Sequence, residues 1–160
     1  MRPALLVCAA VALGGCKRSA PRFCDQDLSG VWVNASDPAF AYRLEDRGDS
    51  VRGKFFHREA DGGEAAPEAG DDPMLIELRR TSTALSGSMK TKEAAPGGRR
   101  CDIDFALRVS SCQPDALQVV AETSYQVRED CSHQKGEDGD DVPAQLVEFR
   151  WERPAATKKP

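Results

Sequence analysis

The chain has 160 residues, and its 22 basic and 26 acidic side chains give a formal net charge of −4 at pH 7. A chain of this length holds one hydrophobic core comfortably, but not two. Nucleic acid requires clustered Lys and Arg, so we expect no nucleic-acid partner for this mildly acidic protein.

The chain begins with a segment typical of protein export. Arg2 supplies positive charge, an apolar run covers 4–13, and the small Gly14 and Gly15 follow. As a helix this segment would span roughly 20 Å, which is short of the ~30 Å hydrocarbon core of a membrane. The pattern predicts a signal peptide over 1–15 and no permanent transmembrane helix.

The four residues Leu13-Gly14-Gly15-Cys16 resemble the lipobox of bacterial lipoproteins. In that family the cysteine thiol receives diacylglycerol, the cysteine becomes the new N-terminus, and a third acyl chain usually follows. Two or more acyl chains hold a protein firmly on a membrane. The resemblance implies lipidation at Cys16 and attachment to the bacterial cell envelope, with residues 16–23 as the tether. Lys17 at the next position favours the outer membrane.

Four cysteines remain beyond the signal peptide and Cys16, namely Cys24, Cys101, Cys112 and Cys131. An exported protein meets an oxidising compartment, where an even number of cysteines forms disulfides. Their spacing fits neither a zinc site nor a Cys-x-x-Cys redox pair. We therefore expect two structural disulfides.

From residue 28 onward, short runs rich in Val, Phe, Leu and Tyr alternate with Gly, Asp, Ser and Pro. No segment has a helical period, so the alternation predicts an all-β domain over 24–153. The predicted strands are 28–34, 39–46, 50–58, 73–80, 84–91, 101–110, 116–127 and 145–152. Their short turns predict antiparallel hairpins, and we expect an eight-stranded meander closed, or nearly closed, into a barrel. Residues 154–160 have no apolar anchor and are expected to be disordered.

The meander also predicts how the cysteines pair. If the end where the first strand begins is the bottom of the barrel, Cys24 and Cys112 lie at the bottom. Cys101 and Cys131 then lie at the top. A disulfide requires Cα atoms within about 7 Å. Of the three possible pairings, only Cys24–Cys112 with Cys101–Cys131 joins residues at the same end.

A weak repeat recurs at 28–32, 51–55 and 85–89, where a glycine stands between two apolar residues of the same strand face. A glycine at such a position allows a strand to bend sharply or a neighbouring strand to pack closely. The repeat therefore predicts a sharp strand bend or a closely packed neighbour at Gly30, Gly53 and Gly87.

Gly30-Val31-Trp32 on the first strand resembles the G-x-W signature of lipocalins and related calycin barrels. In that family the tryptophan closes the barrel floor, and an arginine near the end of the barrel packs over it. The resemblance implies that Gly30 and Trp32 form the floor, with Arg150 as the arginine and Arg153 as the alternative. It also implies that a small apolar ligand can bind inside the barrel.

The aromatic residues favour a filled interior over a large ligand cavity. The inward positions of the predicted strands include Trp32, Tyr42, Phe55, Phe105, Tyr125, Phe149 and Trp151. Binding is then expected in the long polar loops at the top, because loops on a rigid scaffold carry binding sites. The candidates are the loop from Glu59 to Asp72 and the loop from Arg128 to Pro143.

The sequence offers little for catalysis or metal binding. His57 and His133 are the two histidines, and we interpret both as surface residues because no known catalytic motif surrounds them. The acidic stretch 137–141 could join Glu64 and residues 71–72 around Ca²⁺, but its spacing matches no known calcium loop. We interpret it as a solvated loop, and we expect no catalytic residue, metal or cofactor.

Together these features predict a non-catalytic lipoprotein of the cell envelope, anchored through Cys16. Its long loops would face away from the membrane and bind a protein or another component of the envelope. The alternative is a lipocalin-like carrier that holds a small apolar ligand in the barrel. A packed interior would favour the first hypothesis, and a large apolar cavity would favour the second.

Overall fold

A computed structural model describes residues 22–66, 74–123, 127–132, 134–140, 142 and 145–154. The predicted signal peptide, the lipidation site Cys16, Tyr125, His133 and the residues beyond Pro154 lie outside the described residues. The tether is described only from Arg22 onward.

Eight antiparallel strands form a closed barrel, in which each strand pairs with the next in chain order and the last returns to the first. They are β1 (Gly30–Asn34), β2 (Phe40–Asp46), β3 (Ser50–His57), β4 (Leu75–Arg80), β5 (Leu85–Ala94), β6 (Arg100–Cys112), β7 (Ala116–Thr123) and β8 (Gln145–Glu152). A short 3₁₀ turn at Pro96–Gly98 joins β5 to β6. The predicted all-β meander barrel is confirmed.

Alternation of side chains between the two faces of each strand explains why the barrel forms. In β6, Cys101, Ile103, Phe105, Leu107 and Val109 are buried and the residues between them are exposed. A strand with this period can pair on both edges and still bury one face. The sequence of β6 therefore determines which of its faces lines the interior.

The inward side chains of all eight strands form one continuous core. Its members on the strands are Trp32, Tyr42, Leu44, Val51, Ile76, Leu78, Leu85, Met89, Cys101, Ile103, Phe105, Leu107, Val109, Leu117, Val119, Ala121 and Trp151. Phe55 and Phe149 pack against this core and are partly buried. The aromatic residues predicted to point inward do so wherever the structure describes them.

Two glycines of the predicted repeat lie where neighbouring strands approach closely. A Cβ atom at Gly87 would overlap the Glu77 carbonyl oxygen of β4, and a Cβ at Gly53 would lie 2.8 Å from the Arg43 carbonyl oxygen of β2. No larger residue fits at either position without moving the backbone. The glycines thus allow β3 and β5 to curve tightly enough to close a small barrel.

The disulfides pair as the meander predicts. Cys24 is bonded to Cys112 with a Cα–Cα distance of 5.5 Å, and Cys101 is bonded to Cys131 at 5.3 Å. Both bonds attach to β6, one near each end of that strand. The predicted pairing is therefore confirmed.

Candidate functional site

The lower end of the barrel, where β1 begins, is covered by residues 22–29, which we call the N-terminal strap. Leu28 of the strap is fully buried. Trp32 of β1 donates its indole N–H to the Leu28 carbonyl oxygen at 2.8 Å. The Cys24–Cys112 disulfide fixes the strap to the end of β6. This end of the molecule is sealed by a local hydrogen bond and by a disulfide between residues that are far apart in the sequence.

A buried ion pair lies beneath the strap. Arg80, at the end of β4, donates from Nη1 and Nη2 to the two carboxylate oxygens of Asp46 at 2.9 and 2.5 Å. The two side chains are only 3% and 4% exposed. Burial raises the pKa of Asp46, but hydrogen bonds from Arg80 and from the Leu28 and Gly48 backbone amides outweigh that effect, so the pKa lies below its usual value of 3.8. Asp46 therefore stays ionised and neutralises the guanidinium at the floor.

Arg153 completes the floor. Its guanidinium carbon lies 4.4 Å from the centre of the Trp32 ring, which is the geometry of a cation–π contact. Its Nη1 and Nη2 also donate to the Ser29 and Asp27 carbonyl oxygens at 3.0 and 2.9 Å. One side chain thus covers the tryptophan and holds the strap.

The position of Arg150 corrects the expectation that this residue packs over Trp32. Arg150 lies on the outer face of β8, where its Nε donates to the Glu152 carboxylate at 2.5 Å. Strand alternation explains the difference, since Trp151 points inward and its neighbour must point outward. Arg153 follows the last residue of β8 and is free to turn across the floor. It takes the position expected of Arg150.

The upper end of the barrel carries a chain of aromatic contacts on inward positions of β2, β3 and β8. We call it the aromatic mouth, and it consists of Phe40, Tyr42, Phe55, His57 and Trp151. The His57 ring centre lies 5.4 Å from that of Phe40 and 5.0 Å from that of Phe55. Phe55 lies 5.7 Å from Tyr42, which stacks on Trp151 at 4.1 Å. Because Phe40 is 37% exposed, the rings run from solvent to the core.

His57 is exposed, as expected, but it occupies an inward position of β3. The alternation of Val51, Gly53 and Phe55 could have placed it there, because every second residue of a strand shares a face. Its two ring contacts tie it to the aromatic mouth. Among the described residues, no acidic or nucleophilic side chain forms a hydrogen bond or an ion pair with His57.

The inner end of the aromatic mouth holds a pair of polar atoms. Burial raises the pKa of the Tyr42 phenol above its usual value. Trp151 is 1% exposed, and its Nε1 has no hydrogen-bond partner among the described residues. The deepest ring of the mouth therefore carries a donor that the rest of the described core leaves unpaired.

The first candidate loop is described over 59–66, and this part folds back on the outside of the barrel. Glu64 pairs with Lys54 at 2.6 Å and with Arg43 at 3.2 Å, both on the outer face of β2 and β3. The hydrogen bond from Lys54 lowers the pKa of Glu64 below its usual range. The Glu64 carboxylate is therefore already paired with the basic side chains of Lys54 and Arg43. The rest of this loop, including Asp71 and Asp72, lies outside the described residues.

The second candidate loop is described over 128–132 and 134–140, and it forms small turns of its own. The Arg128 amide donates to the Ser132 carbonyl oxygen at 2.8 Å, and the Gly136 amide donates to the Asp140 carbonyl oxygen at 2.8 Å. Over the described parts of the chain, no group of three His, Cys, Asp or Glu side chains is arranged to hold a metal ion. Asp141 and Pro143 lie outside the described residues.

An open groove of about 320 Å³ crosses the outer face of β5 to β8. The residues that line it include Ser86, Ala106, Arg108, Val120 and Leu146. Leu146 is 66% exposed. This groove is separate from the barrel interior, where a lipocalin-like carrier would hold its ligand.

The chain matches no protein-family model, and no curated protein or solved structure is significantly similar to it. None of the helical turns in the described segments is long and apolar enough to cross a membrane.

Proposed function

We propose that the chain is a non-catalytic binding protein of the bacterial cell envelope, held on the outer membrane by lipid on Cys16. It binds an envelope protein at its upper end. The observation that carries the proposal is the difference between the two ends of the barrel. The lower end is sealed by the N-terminal strap, whereas the upper end exposes aromatic rings beside polar loops.

The short tether supports this orientation. Five residues separate Cys16 from Arg22, and the six extended Cα–Cα steps between them span at most about 22 Å. A lipid on Cys16 therefore keeps the strap and the sealed end close to the membrane. The aromatic mouth then faces away from it, where a partner has access.

Acylation is expected at Cys16 and at no other cysteine. A bacterial host fed an alkyne fatty acid should yield a labelled, membrane-bound protein, and Cys16→Ser should abolish both properties. Cys8→Ser is the matched control, because Cys8 lies in the predicted signal peptide and its loss should leave the label unchanged. In-gel fluorescence after click chemistry measures the label. An unlabelled wild-type protein would contradict the anchor.

The lipocalin-like carrier is the second candidate, and the aromatic mouth is the observation that favours it. An apolar ligand could stack on rings that already run from solvent to the core. If the protein is a carrier, the probe N-phenyl-1-naphthylamine should fluoresce on binding, and Phe40→Ser should abolish the signal. Leu146→Ser is the control, since it removes an exposed apolar side chain on the outer face. Absence of probe binding would contradict the carrier function and leave protein binding as the remaining candidate.

A further inference from the structure

The two edges of β8 are paired very differently. On one side its whole length pairs with β7, from Ala116 opposite Glu152 to Thr123 opposite Gln145. On the other side β1 contributes two register pairs, Val33 with Glu152 and Asn34 with Trp151. The barrel is therefore closed at the lower part of β8, and the upper part continues past the end of β1.

The end of β1 is fixed by a local turn. The Asn34 side-chain oxygen accepts hydrogen bonds from the Ser36 amide at 3.0 Å and from the Ser36 hydroxyl at 2.7 Å. The Asn34 carbonyl oxygen accepts from the Asp37 amide at 3.2 Å. The last bond across the seam is from the Ala35 amide to the Arg150 carbonyl oxygen, at 2.8 Å. Above it the chain turns away from β8.

Successive residues of β8 direct their backbone N–H and C=O groups alternately to the two sides of the strand. The Arg153 amide donates to the Asp115 carbonyl oxygen, so alternate residues from there upward direct their N–H and C=O groups to β7. The residues between them, Arg150, Glu148 and Leu146, direct theirs to the other side. Among the described residues, none forms a hydrogen bond with the backbone of Glu148 or Leu146 on that side.

Apolar surface flanks this free edge. Val147 and Phe149 point inward, yet both are only partly buried. Phe40, which begins β2 level with the last residue of β1, is 37% exposed. If another strand paired with this edge, every second one of its side chains would lie beside Val147, Phe149 and Phe40. Its remaining side chains would point into solvent. Free backbone groups beside alternating apolar sites are what β-strand addition requires.

We propose that residues 146–149 of β8 bind an extended segment of the partner protein by β-strand addition. This inference rests on the proposed protein-binding function and names the kind of segment that the upper end accepts. The segment carries apolar residues at alternate positions, and a Lys or Arg opposite the exposed Glu148, whose carboxylate has no described ion-pair partner. A helix does not fit, because it satisfies its backbone groups internally and offers none to the edge.

A second copy of the chain fits less well. The Arg150 carbonyl oxygen is already bonded to the Ala35 amide, so the free groups are those of Leu146 and Glu148. An antiparallel pairing of two copies through these groups is centred on Val147 and sets Leu146 of one copy opposite Glu148 of the other. Each Glu148 would then face an apolar side chain, whereas a basic segment of another protein supplies a cation there.

The test uses full-length acylated protein in detergent and a fluorescent, capped peptide of sequence Thr-Phe-Lys-Phe-Lys-Val-Thr. The matched probe is the same peptide with both lysine amides N-methylated, which removes main-chain donors and keeps every side chain. We expect the first peptide to bind and the second to bind about tenfold more weakly or worse. Fluorescence anisotropy measures both affinities. Equal binding of the two peptides would overturn the proposal.

A pair of variants tests the same edge from the protein side. Glu148→Pro removes one free N–H but leaves the β7 ladder intact, since that N–H points away from β7. It should abolish binding, whereas Glu148→Ala should retain most of it. Circular dichroism checks that both variants fold. If Glu148→Pro does not fold, the comparison of the two peptides on wild-type protein tests the proposal by itself. Peptide binding by a folded Glu148→Pro variant at wild-type strength would refute the assignment.

Two further outcomes are distinguishable. A wild-type dimer that Glu148→Pro dissociates, without peptide binding, would make a second copy the occupant and overturn the proposal. Sedimentation velocity measures the oligomeric state.

Failure of Cys16 labelling would contradict the anchor and leave the peptide measurement valid. Failure of peptide binding with normal labelling would remove strand addition and leave the lipid anchor in place.

Discussion

Replacement of Asp46 by alanine is expected to lower the free energy of unfolding by about 3–5 kcal/mol. The substitution leaves Arg80 charged in a site where its side chain is 3% exposed. Water cannot reach the guanidinium to replace the lost carboxylate, so the desolvation cost stays uncompensated. Guanidinium chloride denaturation followed by tryptophan fluorescence measures the change.

An exposed ion pair provides the control for this variant. Arg47 and Glu45 pair at 3.2 Å on the same turn, but their side chains are 60% and 69% exposed. Glu45→Ala should change stability by no more than about 1 kcal/mol. The double variant Asp46→Ala/Arg80→Met should be more stable than Asp46→Ala alone, because it removes the unpaired charge. A loss below about 1 kcal/mol for Asp46→Ala would contradict the account of the floor.

The same pair makes stability depend on pH in a definite direction. Because the pKa of Asp46 in the folded protein lies below 3.8, its ionised form stabilises the fold at pH values above 3.8. That contribution is lost as the pH falls through the lower, folded pKa. The difference in unfolding free energy between wild type and Asp46→Asn should therefore be constant near neutral pH and shrink in acid.

Removal of the Cys24–Cys112 disulfide is the second large effect, and it should cost about 4–5 kcal/mol. The bond closes a loop with a sequence separation of 88, and the loop-entropy model gives a stabilisation of that size. Cys24→Ser/Cys112→Ser also frees the N-terminal strap from β6. The melting temperature should fall by on the order of 15 °C, as measured by calorimetry.

The other disulfide serves as the comparison. Cys101–Cys131 closes a loop with a separation of 30, for which the same model gives about 3–4 kcal/mol. Its removal should leave the floor intact, so the cation–π contact of Arg153 with Trp32 should survive. If Cys24→Ser/Cys112→Ser proved the milder of the two double variants, the strap would not depend on its disulfide.

The architecture was predictable because it follows from short-range patterns. Strand alternation in β6 and in the other strands determines which side chains face inward, and short turns leave a meander as the simplest topology. Once the ends of the strands are known, the cysteines pair by position. The glycine repeat was informative for a similar reason, since Gly53 and Gly87 lie where only a hydrogen atom fits.

The details of the two ends were less predictable, because they depend on contacts between distant residues. Arg80 stands at a strand end beside a polar turn, where an arginine is ordinarily solvated, and its burial requires Asp46 of another hairpin. Arg153 covers Trp32 because the chain turns after β8, and strand alternation does not extend past that point. The free edge of β8 depends on the Asn34 turn, which has no periodic pattern to reveal it.

The order of the cysteines along the chain has a consequence for how an exported protein would oxidise. Cys24 and Cys101 enter the oxidising compartment before Cys112 and Cys131, if export proceeds from the N-terminus. The native bonds are interleaved, because each skips the next available thiol. Oxidation in order of arrival would join Cys24 to Cys101, a wrong pair that only thiol–disulfide exchange can correct. In an exported chain, the native bonds would therefore form either after β6 has entered the barrel or through later thiol–disulfide exchange.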